Sequence, residues 1–512
     1  MSELVSRFLA RSDPSHAAVI DDRGPHSYAT VVAGAIRIAE ALTEGRTSID
    51  GERVGILISP SGAFVSAFFG ILLAGGCVVV LSPLHPAPET RFFCEDANVS
   101  QVLVSRDLEE KAQAVLPRRI RIVDEILATP PQGTADPFPP AAEGTHALQL
   151  YTSGTTGKPK GAVLTHQNLG LQQQLVGRAW GFTENDTLLH ALPLHHMHGL
   201  AIALVTALGA GATTRMIAFD ARTVWNDLAN ATVFMGVPAM YHRLFATFDQ
   251  TDDATQATWR GSAKNLRLAT SGSAALPVRL AERWQELTGS IPLERFGMTE
   301  IGVGITNALD GERFPGFVGL PLATVETRIV GEDGNDATVG ELWIRGPSVF
   351  AGYHRRDDET SKAFAADVKG GSPWFKTGDT VTRDISLTGA PFKILGRTSV
   401  DILKSGGYKL SALEIEEVLR EHALVGEVAV VGLPDEAWGE RVVACVVRRD
   451  VVQANGEKGP SDDTLASSLR ILAKEKLAPY KIPKDILFRA ELPKNALGKV
   501  VKPELVKELR RR

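Results

Sequence analysis

A single run, residues 151–161, carries the densest group of side chains that could bind a polyanion. Its hydroxyl groups belong to Thr152, Ser153, Thr155 and Thr156, its ammonium groups to Lys158 and Lys160, and its glycines include Gly154 and Gly157. Glycine lets the backbone approach a ligand closely, and phosphate oxygens accept hydrogen bonds from hydroxyl, ammonium and backbone N–H groups. The run is not a Walker A loop, because that motif needs Ser or Thr directly after Gly-Lys and Pro159 follows here. We therefore predict a phosphate-binding loop rather than a flexible surface loop.

Four further segments hold residues that suit nucleotide chemistry but are ambiguous when taken alone. They are residues 295–300 (Arg-Phe-Gly-Met-Thr-Glu), 375–379 (Phe-Lys-Thr-Gly-Asp), 396–401 (Gly-Arg, ending at Asp) and 493–499, which ends in Gly-Lys. A Thr-Glu pair such as Thr299 and Glu300 often begins a helix. Asp379 could accept hydrogen bonds from two ribose hydroxyls, or it could be an ordinary turn residue. By residue type alone, Arg397 and Lys499 would be solvated surface groups.

The five segments together resemble the adenylate-forming superfamily of acyl- and aryl-CoA synthetases, peptide-synthetase adenylation domains and luciferases. The loop resembles the phosphate-binding signature of that family, and residues 295–300 resemble its Tyr-Gly-x-Thr-Glu motif with Phe296 in place of Tyr. The other three segments resemble its Thr-Gly-Asp motif, its hinge motif and its C-terminal lysine motif, in the order of the family. The resemblance covers the chain from about residue 150 to residue 502. It implies that ATP, Mg²⁺ and coenzyme A are the ligands of this chain.

The resemblance also implies a role for each segment in forming an acyl-adenylate. Attack of a carboxylate on the α-phosphate brings two anions together, so the site must supply positive charge, part of which comes from Mg²⁺ on the triphosphate. By resemblance Glu300 binds this metal ion, Thr299 contacts the α-phosphate, and Lys499 bridges the carboxylate and the α-phosphate. Asp379 would bind the ribose, and Arg397 would reach the ribose or the phosphates. The adenine pocket would be lined by Ser271, Gly272, Ser273, Glu294, Arg295 and Phe296.

A second half-reaction, in which the thiol of coenzyme A displaces AMP, is implied by the same resemblance. In the family a small C-terminal domain rotates about a hinge between the two steps. We expect the hinge within residues 398–401, at Ser399, Val400 or Asp401, although the spacing of residues 397–406 differs among family members. The incoming pantetheine would face Gly406, Gly407, Tyr408 and Lys409. The predicted domains are an AMP-binding domain, residues 1–397, and a mobile C-terminal domain, residues 398–512.

Two segments bear on the identity of the acid. Residues 195–198 read His-His-Met-His; clustered histidines can bind zinc, but no Cys or carboxylate lies nearby in the sequence to complete such a site. By resemblance His196 gates the acyl pocket and takes part in catalysis. Pro238 suits the first turn of a helix, on which Arg243 lies about 130° from the centre of the apolar face. Spacing alone leaves Arg243 equally suited to line a pocket or to face water.

A closer resemblance to the malonyl-CoA synthetase subgroup favours malonate as the acid. It is carried by residues 192–200, 236–244, 405–414 and 476–481. In that subgroup an arginine matching Arg243 pairs with the second carboxylate of malonate, and Arg295 lies close by. A second carboxylate is costly to desolvate unpaired, and arginine offers it a bidentate partner.

Other functions remain open at this point. The acid could be methylmalonate, or a medium-chain or aryl acid. The chain could instead be an adenylation domain that loads a carrier protein, although no carrier domain follows it. It could also be a non-catalytic nucleotide sensor, but such a sensor would be expected to lack Lys499 or Glu300, and both are present.

Composition limits the class of protein. A chain of 512 residues is too long for one compact core, and a net charge of -5 argues against binding to nucleic acid. The three cysteines, Cys77, Cys94 and Cys445, are far apart, so we predict neither a disulfide framework nor a metal cluster, and a reducing, cytoplasmic location. The first residues lack the charged-then-apolar order of a signal peptide.

The order of elements predicts an α/β fold. Short apolar strands alternate with helical patterns from about residue 20 to residue 330, which indicates a large N-terminal domain of layered, mainly parallel β-sheets with helices. A small β subdomain is predicted at residues 317–396, and a small α+β domain beyond residue 398. Residues 55–84 carry no charge and are numerous enough to cross a bilayer. Glycine and proline divide them into strand, helix and strand, so we predict a buried βαβ unit and no membrane span.

Overall fold

The structure is a computed structural model that describes residues 2–116, 119–130, 138–139, 141–152, 159–367, 370–406, 408–449, 460–494 and 499–511. Its α-helices are α1 Glu3–Leu9, α2 Tyr28–Thr43, α3 Gly62–Leu73, α4 Ala87–Asp96, α5 Glu109–Val115, α6 Val123–Ala128, α7 His166–Ala179, α8 Thr206–Ala210, α9 Ala221–Asp227, α10 Pro238–Asp249, α11 Asp253–Lys264, α12 Val278–Thr288, α13 Asp357–Ala363, α14 Ala412–Arg420, α15 Asp462–Lys476 and α16 Lys502–Leu509. A π-helix covers His198–Val205, and short 3₁₀ turns cover Arg106–Leu108, Leu228–Asn230 and Pro479–Lys481.

The strands are β1 Ala17–Asp21, β2 Gly24–Ser27, β3 Arg53–Leu57, β4 Cys77–Val80, β5 Gln101–Val104, β6 Arg119–Ile122, β7 His146–Thr152, β8 Lys160–Thr165, β9 Thr187–His190, β10 Thr213–Met216, β11 Val233–Gly236, β12 Leu268–Ser271, β13 Leu293–Met298, β14 Gly302–Thr306, β15 Leu320–Pro321, β16 Glu326–Val330, β17 Val339–Arg345, β18 Gly352–Tyr353, β19 Phe364–Ala365, β20 Trp374–Arg383, β21 Phe392–Arg397, β22 Ile402–Ser405, β23 Tyr408–Ser411, β24 Val425–Asp435, β25 Gly439–Arg448 and β26 Asp485–Arg489. The chain forms two compact units. The larger comprises Met1–Leu276, Leu280–Thr327 and Ile344–Phe375, and the smaller comprises Pro277–Arg279, Arg328–Trp343 and Lys376–Arg512.

Two sheets form the framework of the larger unit. One has nine strands in the order β15-β14-β13-β12-β11-β9-β10-β1-β2, and the other has seven in the order β18-β8-β7-β4-β3-β5-β6. The central strands of both sheets pair in parallel, as do β5 and β6 at one end of the seven-stranded sheet. Antiparallel pairs lie towards the other ends, among them β13 with β14, β1 with β2 and β7 with β8. The predicted α/β class with largely parallel sheets is confirmed. Helices cover the sheets because parallel strands must be buried on both faces.

The uncharged run of residues 55–84 lies inside this framework. It forms the end of β3, then α3, then β4, and nearly every residue of α3 is buried. The side chain of Ser61 caps the N-terminus of α3 by accepting a hydrogen bond from the N–H of Phe64. The apolar character of the run is therefore explained by a buried βαβ unit, as predicted. Within the described residues, the structure contains no helix that is both long enough and apolar enough to cross a bilayer.

The smaller unit is built on a second kind of sheet. Strands β22 to β26 form a five-stranded sheet in which β24 and β25 pair in antiparallel fashion and β26 lies parallel to β25. Helices α14 and α15 cover one face of this sheet and share its apolar core, and Leu505 and Leu509 of α16 pack on the other side. The predicted α+β module is confirmed, as is the β-rich region before it, where β20 pairs with β21. The domain boundary after residue 397 stays a prediction.

Candidate active site

The carboxyl ends of three neighbouring parallel strands bring predicted site residues together. Gly236 at the end of β11 pairs with Ser271 at the end of β12, and Ser271 pairs with Glu294 in β13. Ligands of open α/β sheets bind beyond the carboxyl ends of the strands. The segments predicted for the adenine pocket, residues 271–273 and 294–296, are therefore adjacent in space. Glu294 is held there because its Oε1 accepts the N–H of Gly316 at 2.8 Å.

The guanidinium group of Arg295 is buried at this edge with little to neutralise it. Only 5% of the residue is exposed. A Cβ at position 272 would lie 2.4 Å from Nε of Arg295, so Gly272 leaves the space that the guanidinium group fills. Its Nε and Nη2 atoms have no hydrogen-bond partner in the part of the chain that the structure describes, and burial lowers the pKa of Arg295 to about 10. Burying a charged guanidinium group costs free energy of folding unless an anion pairs with it.

Further buried polar atoms without partners lie around Arg295. His198 is buried, its Nδ1 lies 3.3 Å from Oγ of Ser273, and its Nε2 has no partner among the described residues; the same holds for Oγ of Ser271. Ser273 has a φ of 68°, a left-handed conformation that is strained for a non-glycine residue and often marks a functional site. His198 also begins the π-helix, a feature that is frequent at such sites. These atoms are suited to hydrogen-bond a polar ligand.

The neighbouring histidines are held in their neutral form. Burial, together with nearby histidine rings, lowers the pKa of His195 to about 3 and that of His196 to about 4. The ring centroids of His195 and His196 are 4.1 Å apart, and that of His85 lies 5.1 Å from His195. Within the described ranges, no group of three or more His, Cys, Asp or Glu side chains is arranged to hold a metal ion. The gating role of His196 stays a prediction.

Glu300 lies in the turn that joins β13 to β14, one residue after the half-buried Thr299. Glu300 is buried, and its Oε1 accepts the hydroxyl hydrogen of Tyr353 at 2.8 Å. The ring centroid of Tyr353 lies 5.3 Å from the ammonium of Lys160, which also forms an ion pair with Glu359. Tyr353 therefore links Glu300 to the strand that follows the predicted phosphate loop. The sequence analysis missed Tyr353, because nothing local marks a tyrosine 53 residues beyond its partner.

The predicted phosphate loop joins β7 to β8. Thr152 at the end of β7 pairs with Lys160 at the start of β8 in an antiparallel register. Ser153, Gly154, Thr155, Thr156, Gly157 and Lys158 lie outside the described residues. At the base of the connection, the hydroxyl of Tyr151 donates to Asp96 at 2.8 Å, and Asp96 forms an ion pair with Arg356.

Arg243 lies on the exposed side of α10. Tyr241, Leu244, Phe245 and Phe248 of this helix face the core, where they pack with buried tryptophans that include Trp225 and Trp284. Arg243 points away from that core, and its guanidinium carbon lies 4.6 Å from the ring centroid of Phe219. Solvent reaches Arg243, a position that suits the mouth of an open pocket as well as the outer surface. Stacking on Phe219 restricts its orientation.

In the smaller unit, Asp379 and Arg397 lie on the paired strands β20 and β21 and form an ion pair. Nε of Arg397 is 3.2 Å from Oδ1 of Asp379, and Nη1 of Arg397 donates to the carbonyl of Thr377 at 2.8 Å. Asp379 is buried. Burial raises the pKa of Asp379 to about 6, and Arg397 and Lys499 act in the opposite direction. A buried carboxylate is a strong hydrogen-bond acceptor for ligand hydroxyls.

Lys499 lies near this ion pair. The residue is exposed in part, and its surroundings partly desolvate the ammonium group. This burial, with the charge of Arg397, lowers the pKa of Lys499, while the carboxylates of Asp379 and Asp401 act against that change. The structure therefore brings together Lys499, Asp379 and Arg397, although Lys499 lies more than a hundred residues beyond the other two in the sequence. They lie near enough for their charges to interact.

Residues 398–401 and the strands that follow form the region predicted for the hinge and for coenzyme A. The N–H of Asp401 donates to the carbonyl of Arg397 at 2.8 Å, so residues 398–401, which include Ser399 and Val400, form a turn between β21 and β22. Gly407 lies outside the described residues. A cavity of about 510 Å³ follows, lined by Lys404, Gly406, Tyr408, Lys409 and Trp438.

Trp438 is a lining residue of this cavity that the sequence analysis missed. It is partly exposed, and a Cβ at Gly406 would lie 3.0 Å from its ring. The ammonium of Lys484 lies 3.9 Å from the centroid of the Trp438 ring, and the ring of Tyr408 stacks on that of Tyr480 at 4.1 Å. Exposed aromatic rings next to lysines are suited to bind a base and its phosphates.

Comparison with known proteins assigns the chain to a family. The model of the AMP-binding enzyme family matches residues 8–354, and that of the AMP-binding enzyme C-terminal domain matches residues 414–499. The chain belongs to the AMP-binding enzyme family. Because the first match covers more than half of the chain, the adenylate-forming fold predicted from the motifs is confirmed.

Relatives of this AMP-binding enzyme narrow the class of reaction. It is 36% identical to the mitochondrial malonate–CoA ligase of Bos taurus over 96% of this chain and 88% of the relative. It is 37% identical to the malonate–CoA ligase of Arabidopsis thaliana over 96% of this chain and 86% of the relative. The crystal structure of ATP-bound MatB from Rhodopseudomonas palustris matches it with a TM-score of 0.85 and 30% identity, covering 99% of this chain and 98% of that one. The enzyme class that fits the family and these relatives is the AMP-forming acyl-CoA ligase.

The raised pKa of Asp379 predicts that this residue destabilises the free enzyme. The pKa rises from an ordinary value of 3.8 to about 6, so the stability that the protonated carboxyl contributes is present below about pH 4 and is lost as the pH rises through about 6. We expect Asp379→Asn to be more stable than the wild type by about 1–3 kcal/mol at about pH 8, with a smaller difference at about pH 5. The thermal unfolding midpoint at both pH values measures this effect.

The same variant should bind ATP about tenfold or more weakly, because a neutral amide replaces a charged acceptor. Titration calorimetry measures this loss. Asp384→Asn is the matched control in the exposed turn after the same strand, where hydrogen bonds from Ser386 lower the pKa of the carboxyl. A gain in stability for Asp384→Asn at about pH 8, or none for Asp379→Asn, would contradict the argument.

Proposed function

We propose that this enzyme activates malonate with ATP to form malonyl-adenylate and pyrophosphate, and then transfers the malonyl group to coenzyme A with release of AMP. The observation that carries the choice of malonate is the buried guanidinium of Arg295, which lacks acceptors for Nε and Nη2 within the described residues. Malonate brings two carboxylates to a site, one that reacts and one that can pair with a fixed cation. The named activity of the bovine and Arabidopsis relatives supports the same choice.

The second carboxylate of malonate is proposed to pair with Arg243 and Arg295. A guanidinium group can donate two parallel hydrogen bonds to one carboxylate, which fixes both its position and its orientation. Arg243 is exposed and ordered by Phe219, so it is available to an incoming anion. Neutral His196 is proposed to lie at the entrance of the acyl pocket, because an uncharged ring does not compete with the two arginines for the carboxylate.

The reacting carboxylate is proposed to attack the α-phosphate with help from Lys499, Thr299 and the phosphate loop. Lys499 would neutralise both anions as they approach, and Thr299 would donate to an α-phosphate oxygen. The hydroxyls and ammonium groups of residues 152–160 would hold the β- and γ-phosphates, which leave as pyrophosphate. Asp379 would fix the ribose by accepting from its two hydroxyls, with Arg397 beside it.

Glu300 is the residue proposed to hold Mg²⁺. Its carboxylate is buried and one oxygen already accepts from Tyr353, so the other remains suited to a hard cation. Mg²⁺ is commonly held by one or two carboxylates together with phosphate oxygens, and the single carboxylate here fits that pattern. When bound, the ion would supply positive charge to the triphosphate.

The thioester step is proposed to use the cavity around Gly406, Tyr408 and Lys409. Lys404 and Lys409 both form ion pairs with Glu332 at the cavity wall, so the three groups together keep a net positive charge. Trp438 offers an exposed ring, and this combination suits the phosphates and base of coenzyme A. The turn at residues 398–401 is proposed as the hinge of a C-terminal domain, residues 398–512, that moves between the two steps. A cytoplasmic location also stays a prediction, since the bovine relative is mitochondrial by name.

The proposal is tested by AMP formation from ATP and coenzyme A with a panel of acids: malonate, methylmalonate, succinate, acetate, octanoate and benzoate. We expect malonate to dominate by about 10⁴ over acetate, because an unpaired buried cation rejects an acid that lacks the second carboxylate. Arg243→Ala should lower kcat/KM for malonate by about 10- to 100-fold. Arg222→Ala is the matched control, since Arg222 is also exposed and lies 5.6 Å from the ring of Trp259.

The outcomes separate the acid from the reaction class. Preference for a monocarboxylate would contradict malonate as the substrate, and full activity with malonate in Arg243→Ala would contradict the role of Arg243. Either result would still be consistent with an AMP-forming ligase. Absence of AMP formation with every acid would contradict the proposed reaction. An equal loss in Arg222→Ala would show that the effect of Arg243→Ala is not specific to the site.

A further inference from the structure

A buried lysine three residues beyond Lys499 forms ion pairs that the chemistry above does not use. Lys502 is only 8% exposed, and its Nζ lies 2.5 Å from Oδ1 of Asp401 and 2.7 Å from Oε1 of Glu416. Burial lowers the pKa of its ammonium group, but the carboxylates of Glu416 and Asp401 outweigh that effect and raise the pKa. Lys502 is therefore a charged group at the first position of α16. Lysine is rarely buried in proteins unless it is paired.

Asp401 connects this lysine to the strand that carries Arg397. Its second oxygen, Oδ2, accepts the backbone N–H of Arg397 at 3.0 Å. A Cβ at Gly396 would lie 2.4 Å from Cβ of Asp401, and Gly396 has a φ of 127°. Glycine at position 396 is thus required for Asp401 to lie this close to β21. One carboxylate holds the end of β21 with one oxygen and the start of α16 with the other.

The chain directly after Lys499 is held against residues 493 and 494. Val500 forms a bridge with Lys494, and the N–H of Val501 donates to the carbonyl of Pro493 at 2.8 Å. Lys502 lies three residues beyond Lys499, so their Cα atoms are at most about 11 Å apart. The position of Lys502 therefore limits where the ammonium of Lys499 can lie. That ammonium lies in the field of Asp379 and Arg397, as described above.

We propose that Lys502 is a positioning residue for adenylate formation, which holds Lys499 beside Asp379 and Arg397 through its ion pair with Asp401. Lys502 makes no contact with substrate in this role and acts only through Lys499. The proposal rests on the function proposed above for Lys499. Glu416 completes the arrangement, because its Oε2 pairs with Arg420 at 2.7 Å and its Oε1 also accepts the N–H of Val430.

The test measures the two half-reactions separately in Lys502→Met. Adenylate formation is followed by malonate-dependent exchange of pyrophosphate into ATP, and thioester formation by the reaction of chemically prepared malonyl-adenylate with coenzyme A. A displacement of about 1 Å can lower a rate by about 100-fold, so we expect exchange to fall by about 30-fold or more. The thioester rate should stay within about threefold of wild type, because Lys499 has no part in that step. The fall should lie in kcat, with KM for ATP little changed.

Two further variants distinguish a displaced Lys499 from a misfolded protein. Lys502→Met leaves two buried carboxylates without their lysine. The double variant Lys502→Met with Asp401→Asn also lacks the ion pair between positions 401 and 502, but it leaves no unpaired charge at position 401. The amide that Asp401→Asn introduces keeps an oxygen for the N–H of Arg397, and exchange should still fall. Lys502→Arg, which keeps the charge, should restore at least part of the exchange rate. Lys507→Met, on the exposed face of α16, is the control and should match the wild type.

Equal falls in the rates of both half-reactions would show a merely structural role for Lys502 and overturn the proposal. Unchanged pyrophosphate exchange in Lys502→Met and in the double variant would also overturn it. Failure of the function proposed for Lys499 has a different signature. In that event Lys499→Met would keep full exchange, or the wild type would show no carboxylate-dependent exchange with any acid of the panel.

Discussion

Lys499→Met is expected to lower the rate of malonate-dependent pyrophosphate exchange by about 10³-fold, while binding of ATP changes little. The two reacting groups are both anions, and removal of a single positioned donor from such a site typically lowers a rate by about 10²–10³-fold. Asp379 and Arg397 pair with each other directly, so the nucleotide contacts proposed for them do not depend on Lys499. Exchange of labelled pyrophosphate and calorimetric titration with ATP measure the two quantities.

The charge of Lys499 also predicts a pH dependence. Its pKa lies below the ordinary value of 10.5 because of burial and the charge of Arg397, and only the protonated form can neutralise the anions. The exchange rate should therefore fall as the pH rises, beginning below pH 10.5. Lys494→Met is the control, since Lys494 forms an exposed ion pair with Glu427. A strong loss of ATP binding in Lys499→Met, with normal exchange at saturating ATP, would assign Lys499 to ground-state binding instead.

Arg295→Met is expected to lower activity with malonate strongly and to raise the stability of the free enzyme. The variant should lose about 10³-fold or more in kcat/KM for malonate, because the second carboxylate would be left in a buried site without a cation. The free enzyme should become more stable by about 1–3 kcal/mol, since burial lowers the pKa of Arg295 from 12.5 to about 10 and so disfavours the charged form. This difference should stay constant between about pH 6 and pH 8, where the guanidinium is charged in both the folded and the unfolded state.

Arg313→Met is the matched control for the stability effect. Arg313 is half-buried, and unlike Arg295 its guanidinium donates hydrogen bonds to the carbonyls of Ala308, Ile291 and Leu309. Its removal leaves these acceptors unpaired and should destabilise the enzyme. Thermal unfolding of both variants without ligand, and acid-dependent AMP formation, provide the measurements. Destabilisation of the ligand-free enzyme by Arg295→Met, with malonate activity intact, would show that Arg295 is a structural residue.

The contiguous parts of the site and the order of elements could be predicted from the sequence. The run of glycines, hydroxyls and lysines at residues 151–161 predicts phosphate binding because these groups are contiguous in the sequence, and this role stays a prediction since residues 153–158 lie outside the described residues. The alternation of strands and helices predicts parallel sheets because each βαβ unit is a local pattern. Helix α10 and its apolar face follow from 3.6-residue spacing, and the structure confirms both.

The spacing could not decide which side chains are buried without a partner. Arg295 looks like any strand arginine in the sequence, and its burial depends on Gly272, which follows the neighbouring strand. For Arg243 the angle on the helix left two environments open, and only the packing of α10 against its tryptophan-rich core placed the side chain towards solvent. Tyr353 and Trp438 carried no local signal, because their partners lie in distant segments.

By itself, then, the sequence determined the class of fold, the adenylate-forming chemistry and the residue types available for it. The class of fold depends on short-range patterns of strands and helices, and the chemistry depends on five short motifs that resemble those of the family when they are taken together. Only the tertiary structure decided how Lys502 reaches Asp401 across 101 residues, and how Lys499 comes near Asp379 and Arg397. Such contacts depend on strand order and on packing, since a buried ion pair forms only where distant elements hold the two charges close enough to offset the cost of their desolvation.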